Sequence, residues 1–142
     1  MKPFQVVLDT CVLVAAVRST RGASFRVLQL VGDARWKLNL SPGLLFEYEE
    51  IVRPQVKQFW PQPERLDDLL DFLVASSHRP KISYVWRPML RDADDDMILE
   101  LAIAAHADFI VTHNVRDFVG AERFGVGILT PAEFLRKLET TK

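Results

Sequence analysis

The chain has 142 residues, of which 49% are hydrophobic, a composition that excludes a disordered protein and allows one domain, residues 1–142, with its own core. Its 18 basic and 19 acidic residues give a formal net charge of −1, which neither indicates nor excludes a nucleic-acid ligand. One cysteine excludes an internal disulfide, and without a signal-peptide pattern or a run of about 20 apolar residues we expect a cytoplasmic protein.

The first predicted element is a buried strand over residues 4–8, an apolar run rich in β-branched residues. The run ends at Asp9 and Thr10, and the apolar residues 11–17 then predict a helix of about two turns. An acid at the carboxyl end of a buried parallel strand lies where open α/β sheets bind their ligands. The alternative is that Asp9 only caps the helix, and this stretch alone does not separate the two. Cys11 is interpreted as a small core residue.

A polar loop with a glycine follows, and the next pattern predicts a helix over residues 25–31, with Ser24 as a candidate cap. Residues 38–40 alternate and predict a brief strand. Ser41 and Pro42 form a strong helix start, and we expect that helix to stop before Pro54 because proline cannot continue it.

The second half of the chain continues the alternation of helices and strands. A helix is predicted over residues 66–74, and a strand or extended segment over 82–86. The remaining predictions are a mostly buried helix over 97–107, strands over 108–112 and 126–129, and a last helix over 132–138 that starts at Thr130-Pro131. This alternation predicts an α/β domain with a parallel sheet.

Several acids lie beside these elements. Glu47 and Glu49 flank the apolar stripe of the helix that starts at Pro42, and helical periodicity does not choose between them. Asp94, Asp95 and Asp96 precede the buried helix, where three charges repel unless a cation or the helix dipole compensates them. The alternative for this trio is a well-charged helix start.

Acids that converge without a histidine or cysteine cluster form a hard oxygen site, which suits Mg²⁺ or Mn²⁺. Such ions can activate water and stabilise an in-line displacement at phosphorus. The sequence contains no phosphate-binding glycine loop, no nucleophile elbow and no zinc-protease motif. The leading enzymatic interpretation is therefore metal-dependent hydrolysis of phosphodiester bonds, with a metal-dependent phosphatase or DNA nuclease as a further alternative.

Four segments together resemble the PIN domain, the nuclease family that includes the VapC-type toxins of bacterial toxin–antitoxin pairs. They cover residues 7–13, 41–47, 95–105 and 110–118, in the family's order and spacing. The resemblance implies a three-layer α/β/α fold around a central parallel sheet of about five strands. It also implies cleavage of RNA with magnesium, or manganese as a substitute, held by acids in a shared pocket.

Residue by residue, Asp9, Glu47 and Asp96 match the first three acids of the family. Many relatives carry an aspartate at the position of Asn114, whereas here Asp117 follows three residues later, so either residue can be the fourth member of the site. The predicted catalytic residues are Asp9, Glu47, Asp96 and Asp117; Asp9, Asp96 and Asp117 are the predicted metal ligands; and Thr10, Asp95, Thr112 and Asn114 are expected to support them.

The predicted partners are RNA, an antitoxin protein and a second copy of the chain. Arg18, Arg21 and Arg116 are candidates for binding RNA phosphates, with scattered surface arginines as the alternative. Trp60 lies in a rigid proline-flanked turn that we expect to be exposed and covered by a partner, with packing against the domain's own helices as the alternative. The competing function is a PIN-like module that has lost cleavage and binds RNA or protein.

Overall fold

The computed structural model describes residues 2–82 and 93–141, with side chains from residue 95 onward in the second range. The strands are β1 (Phe4–Leu8), β2 (Trp36–Leu38), β3 (Phe109–Val111) and β4 (Gly127–Leu129). The helices are α1 (Thr10–Arg18), α2 (Ala23–Gln29), α3 (Pro42–Phe59), α4 (Arg65–Ser76), α5 (Ala93–Ala104) and α6 (Pro131–Glu139). Two short 3₁₀ helices, Val115–Phe118 and Ala121–Phe124, lie between β3 and β4.

The strands form a parallel sheet in the order β2-β1-β3-β4, so β1 is a central strand with a partner on each side. Val6, Val7 and Leu8 are all fully buried. Because successive side chains of a strand point to opposite faces, both faces of the sheet must be covered. The predicted α/β fold with a parallel sheet is confirmed. The described residues form four strands rather than about five, and the strand predicted over 82–86 lies outside them beyond residue 82.

The carboxyl ends of the strands meet at one edge of the sheet. The backbone N–H of Asp9 donates to the carbonyl of Val111 at 2.9 Å, and that of Thr112 donates to the carbonyl of Leu129 at 2.9 Å. Helix α5 packs against both β1 and β3. The residues that directly follow β1 and β3 therefore lie side by side.

Helix α3 was predicted to stop before Pro54, and that prediction is wrong, since the helix continues through Pro54 to Phe59. Val52 and Val56 are fully buried on either side of the proline. Pro54 and Glu50 are both exposed, so water can replace the backbone hydrogen bond that the proline cannot donate to the carbonyl of Glu50. Burial of the apolar stripe outweighs the loss of one solvent-side hydrogen bond.

Two local boundaries also differ from prediction. Strand β2 begins at Trp36 rather than residue 38, because the Trp36 ring is buried against Phe134, with ring centres 5.2 Å apart. Helix α2 begins at Ala23 with Gly22 as its cap, so Ser24 lies inside the helix.

None of the helices described for residues 2–82 and 93–141 is long and apolar enough to cross a membrane.

The expectation of an exposed Trp60 is wrong, and the alternative, packing against the chain's own helices, is what the structure shows. Trp60 is half-buried against the core, and its indole Nε1–H donates to the carbonyl of Val17 in α1 at 3.2 Å. The exposed aromatic of this turn is Phe59, and the Arg18 guanidinium lies 5.2 Å from the centre of its ring. The turn is therefore fastened to the chain's own first helix.

Candidate active site

Asp9 directly follows the central strand β1 and is only 7% exposed. It occupies the cap position of α1, yet within the described part of the chain its side chain makes no capping hydrogen bond. Instead its Oδ2 accepts a hydrogen bond from the hydroxyl of Thr112 at 2.7 Å and another from the thiol of Cys11 at 3.4 Å. The carboxylate is therefore held by the end of β3 and the first turn of α1, and the interpretation of Asp9 as a cap alone is wrong.

Thr112 connects the two strand ends. It is fully buried, and while its hydroxyl donates to Asp9, the same oxygen accepts the backbone N–H of Asn114 at 2.9 Å. A hydroxyl has one donor and two lone pairs, so it can make both bonds at once. Thr112 thus couples the position of the Asp9 carboxylate to the loop that begins at residue 113.

Cys11 has a larger role than the core residue that we predicted. Its half-buried thiol donates to Asp9 Oδ2, and its sulfur accepts the backbone N–H of His113 at 3.4 Å. Burial, and next the neighbouring charge of Asp9, raise the pKa of the Cys11 thiol to about 11. The thiol therefore keeps its proton at neutral pH and remains a donor to the carboxylate. The sequence feature that could have indicated this contact is the position of Cys11, two residues after Asp9.

The structure resolves the choice between the two glutamates of α3. Glu47 is half-buried, and its Oε2 accepts a hydrogen bond from the hydroxyl of Thr10, the residue next to Asp9. Glu49 is exposed and lies 3.5 Å from the guanidinium of Arg53 on the same helix. Glu47 is thus the acid that α3 brings to the end of β1, and Thr10 supports it.

Tyr48 is a site residue that sequence reasoning missed, because it reads as one more member of an apolar stripe. It is fully buried, and its hydroxyl donates to the carbonyl of Leu8 at 2.5 Å, immediately before Asp9. Burial raises the pKa of Tyr48 well above its usual range, and the charges of Asp9 and Glu47 raise it further. Tyr48 therefore fastens α3 to the end of β1 as a protonated donor.

Asp96 lies in the first turn of α5 and is 7% exposed. A Cβ atom added at Gly43 would lie 3.0 Å from the sulfur of Met97, so the first turn of α3 closely approaches the start of α5. Gly43 and Glu47 are four residues apart and share a helix face. Burial, and next the charge of Asp96, raise the pKa of Glu100, which places that acid beside Asp96. Asp95, which we expected to support the site, is half-buried.

Asn114 and Asp117 are exposed and line a small cavity of about 410 Å³ formed by residues 113–117. Within residues 2–82 and 93–141, no group of three or more acidic, histidine or cysteine side chains is arranged to hold a metal ion. The meeting of all four acids around one ion therefore stays a prediction, and the fourth position stays open between Asn114 and Asp117. Arg18, Arg21 and Arg116 are exposed.

The loop after β3 is tied to α2 by a contact that the sequence did not indicate. The imidazole Nε2 of His113 lies 2.7 Å from the hydroxyl of Ser24, which is buried in the first turn of α2. The backbone N–H of the same histidine donates to Cys11. The loop that carries Asn114 is therefore held from two sides.

The geometry above agrees with what comparison with known proteins finds. Residues 5–116 match the model of the PIN domain family. Among solved structures, the chain is similar to a chain of VapBC2 from Rickettsia felis bound to a DNA fragment from its promoter, with 17% sequence identity and a TM-score of 0.55. That match covers 89% of this chain and 98% of the other, and at this identity it shows a shared fold. No curated protein matches the sequence. Because the family model spans most of the chain, from β1 to the loop after β3, the chain belongs to the PIN domain family.

Proposed function

We propose that this chain is a divalent-metal-dependent endoribonuclease, using Mg²⁺ with Mn²⁺ as a substitute. PIN domains are generally nucleases. The observation that carries the proposal is the burial of Asp9, which directly follows the central strand β1 and is 7% exposed, together with the equal burial of Asp96 in the first turn of α5. Buried charges in proteins are paired or coordinate metals. The hydrogen-bond donors to Asp9 described here are a neutral hydroxyl and a neutral thiol, which leave its charge to be balanced.

The residues fit a hard cation. Carboxylate oxygens without imidazole or thiolate ligands suit Mg²⁺ and Mn²⁺. Asp9 and Asp96 would hold the ion, and Asp117 is the proposed further ligand, with Asn114 as the neutral alternative. When bound, such an ion lowers the pKa of water and stabilises charge on phosphate oxygens.

The protein's own side chains have separate proposed roles. Thr112 and Cys11 hold Asp9 in one orientation through their bonds to Oδ2. Glu47, which is oriented by Thr10, accepts a proton from the attacking water.

The RNA substrate is proposed to contact the protein through its phosphates. Arg18, Arg21 and Arg116 are exposed, as a residue that pairs with a phosphate must be. Such contacts position the strand and carry no base specificity.

We further propose that the chain is the toxin of a toxin–antitoxin pair and that it forms a homodimer. The similar structure is the VapBC2 complex bound to promoter DNA. The likeness of this chain's fold to one chain of that complex supports an antitoxin partner here. A small protein encoded beside this chain that blocks its cleavage of RNA would establish the pair. Sedimentation of the isolated chain tests the homodimer.

Metal binding is expected to stabilise the folded protein. Mg²⁺ or Mn²⁺ at 100 times its dissociation constant should raise the free energy of unfolding by about 2.7 kcal/mol, because the ion binds the folded state only. The measurement is the melting temperature with and without the metal. Asp9→Asn should abolish the increase, whereas Asp71→Asn, which removes an exposed acid of α4, should retain it.

The metal site can also require an RNA phosphate as a further ligand. The same measurement of melting temperature with a non-cleavable RNA present tests this case. If the wild type shows no metal-dependent increase in melting temperature with or without that RNA, the metal site is absent and the alternative of a binding module without cleavage is favoured. An increase that Asp9→Asn leaves unchanged would place the ion elsewhere.

A further inference from the structure

A second cavity, of about 790 Å³, lies at the amino end of β1, away from the candidate active site. Its lining includes Lys2, Phe4, Lys37, His78, His106 and Asp108. The sheet brings these segments together, since Lys37 pairs with Gln5 across β1 and β2, and the backbone N–H of Asp108 donates to the carbonyl of Gln5 at 2.7 Å. Gln5 and Asp9 are four positions apart along an extended strand, a distance of about 13 Å.

His106 occupies a backbone position that favours glycine. Its φ angle is +51°, in the left-handed region, at the residue that ends the α5 segment. The backbone N–H of His106 donates to Ile103, and that of Ala107 donates to Ala102, the hydrogen-bond pattern of a Schellman motif. The left-handed residue of this motif is usually glycine, which has no side chain to strain. A histidine here carries a backbone cost, and such outliers motivate a functional hypothesis.

His78 is held in one orientation by a buried polar network. The amide nitrogen of Asn39, a fully buried residue, donates to Gln5 Oε1 at 3.0 Å and faces the carbonyls of Val6 and Lys37. Its Oδ1 is therefore the acceptor, and His78 Nδ1–H donates to it at 2.8 Å. This bond fixes the ring, with Nε2 as the atom through which it can meet a ligand.

The charges in this lining favour an anion. Lys2 and Lys37 are exposed cations, and the two histidines add hydrogen-bonding groups. Asp108 is the acid of the lining, and its Oδ2 already accepts the backbone N–H of Gln5 at 2.8 Å. With one acid and two histidines among its described lining residues, the cavity offers few groups that would hold a metal ion. Phe4 is half-buried and supplies an apolar wall.

We propose that this cavity binds the phosphate group of a nucleotide. Lys2 and Lys37 supply positive charge, His78 and His106 supply hydrogen bonds, and the apolar wall at Phe4 packs against the attached nucleoside. The nucleotide can be part of an RNA strand that leads to the candidate active site, or a free mononucleotide. The RNA form rests on the proposed function, whereas the phosphate site itself does not.

Binding of a fluorescent single-stranded RNA and of adenosine monophosphate to the full chain in EDTA tests the proposal without cleavage. His106→Gly, His106→Asn and Lys37→Gln should each weaken binding about tenfold, the effect of losing one charged hydrogen bond. Lys57→Gln, which removes an exposed lysine of α3, is the matched control and should bind as the wild type does. For RNA, Lys37→Gln should also reduce the slope of log affinity against log salt by about 0.7.

The melting temperature of His106→Gly gives a second test, which distinguishes a histidine that binds the ligand from one that only stabilises the fold. His106→Gly should melt at the wild-type temperature or higher, because glycine relieves the left-handed backbone, while its binding falls. If only adenosine monophosphate binding responds to the variants, the source is a free nucleotide and the phosphate site stands.

Three results overturn the inference: no binding of either ligand by the wild type, binding unchanged in all three variants, or a lower melting temperature of His106→Gly with binding unchanged. Failure of the proposed nuclease function can be distinguished from failure of the phosphate site. A wild type that binds RNA through His106 in EDTA yet does not cut it with Mg²⁺ contradicts the nuclease and supports the phosphate site.

Discussion

Asp9→Asn should abolish measurable RNA cleavage while the fold stays intact. Asparagine has nearly the same shape as aspartate and can still accept the hydrogen bonds from Thr112 and Cys11. It lacks the charge that binds the metal, so the loss should exceed the roughly 10- to 100-fold that removing an outer-shell partner of a metal ligand costs. The measurement is the rate of cleavage of a labelled single-stranded RNA under saturating Mg²⁺.

Two controls separate a loss of catalysis from a loss of folding or a general effect of removing an acid. Asp9→Asn should melt no lower than the wild type in EDTA, since it removes a buried charge without changing volume. Asp71→Asn, the exposed acid of α4, should cut RNA at the wild-type rate. If Asp9→Asn itself cuts RNA at the wild-type rate with saturating Mg²⁺, the proposed mechanism is wrong.

Asp96→Asn is expected to lower cleavage as strongly as Asp9→Asn does. Asp96 is equally buried, and it lies on α5, the helix that packs on β1 and β3. Glu100→Gln is the matched control one turn further along the same helix, since burial and the charge of Asp96 already raise the pKa of Glu100 and disfavour its charged form. We expect Glu100→Gln to retain most of the activity.

The double variant Asp9→Asn with Asp96→Asn sharpens this test. If both acids hold one ion, removing the second after the first should cost little more, because residues that act as a unit are strongly non-additive. Losses that multiply would show that Asp9 and Asp96 act independently, and the shared metal site would then be rejected.

The parts of the fold that follow from local sequence were predictable. The apolar run over residues 4–8 predicted the central strand, and Asp9 was singled out because it follows that run directly. Thr130 and Pro131 predicted the start of α6, where the structure shows a complete capping box with Glu133. These signals lie within a few residues of the feature that they specify.

The failures concern features that depend on distant parts of the chain. Proline predicts a helix end, but the buried stripe through Val52 and Val56 carries α3 past Pro54. Trp60 was expected to be covered by a partner protein, but its indole N–H donates to the carbonyl of Val17 in the same chain. In each case a tertiary contact overrides a sound local preference.

The candidate site shows the same division. Periodicity left Glu47 and Glu49 equivalent, and the distinction came from Thr10, which lies 37 residues earlier in the chain. The bond from Tyr48 to the carbonyl of Leu8 likewise joins two elements that the sequence treats separately. Charge and spacing made the acids candidates for the site, whereas the neutral donors that contact Asp9 and Glu47 required the fold.

The most direct test of the central claim is the chemistry of the RNA product made by the purified wild-type chain. We expect internal cuts in single-stranded RNA with Mg²⁺ or Mn²⁺, no cuts in EDTA, and products without a 2′,3′-cyclic phosphate, because metal-activated water is the proposed nucleophile. Cleavage that persists in EDTA, or products that end in a 2′,3′-cyclic phosphate formed by the substrate's own 2′-hydroxyl, would contradict a metal-dependent ribonuclease built on Asp9 and Asp96.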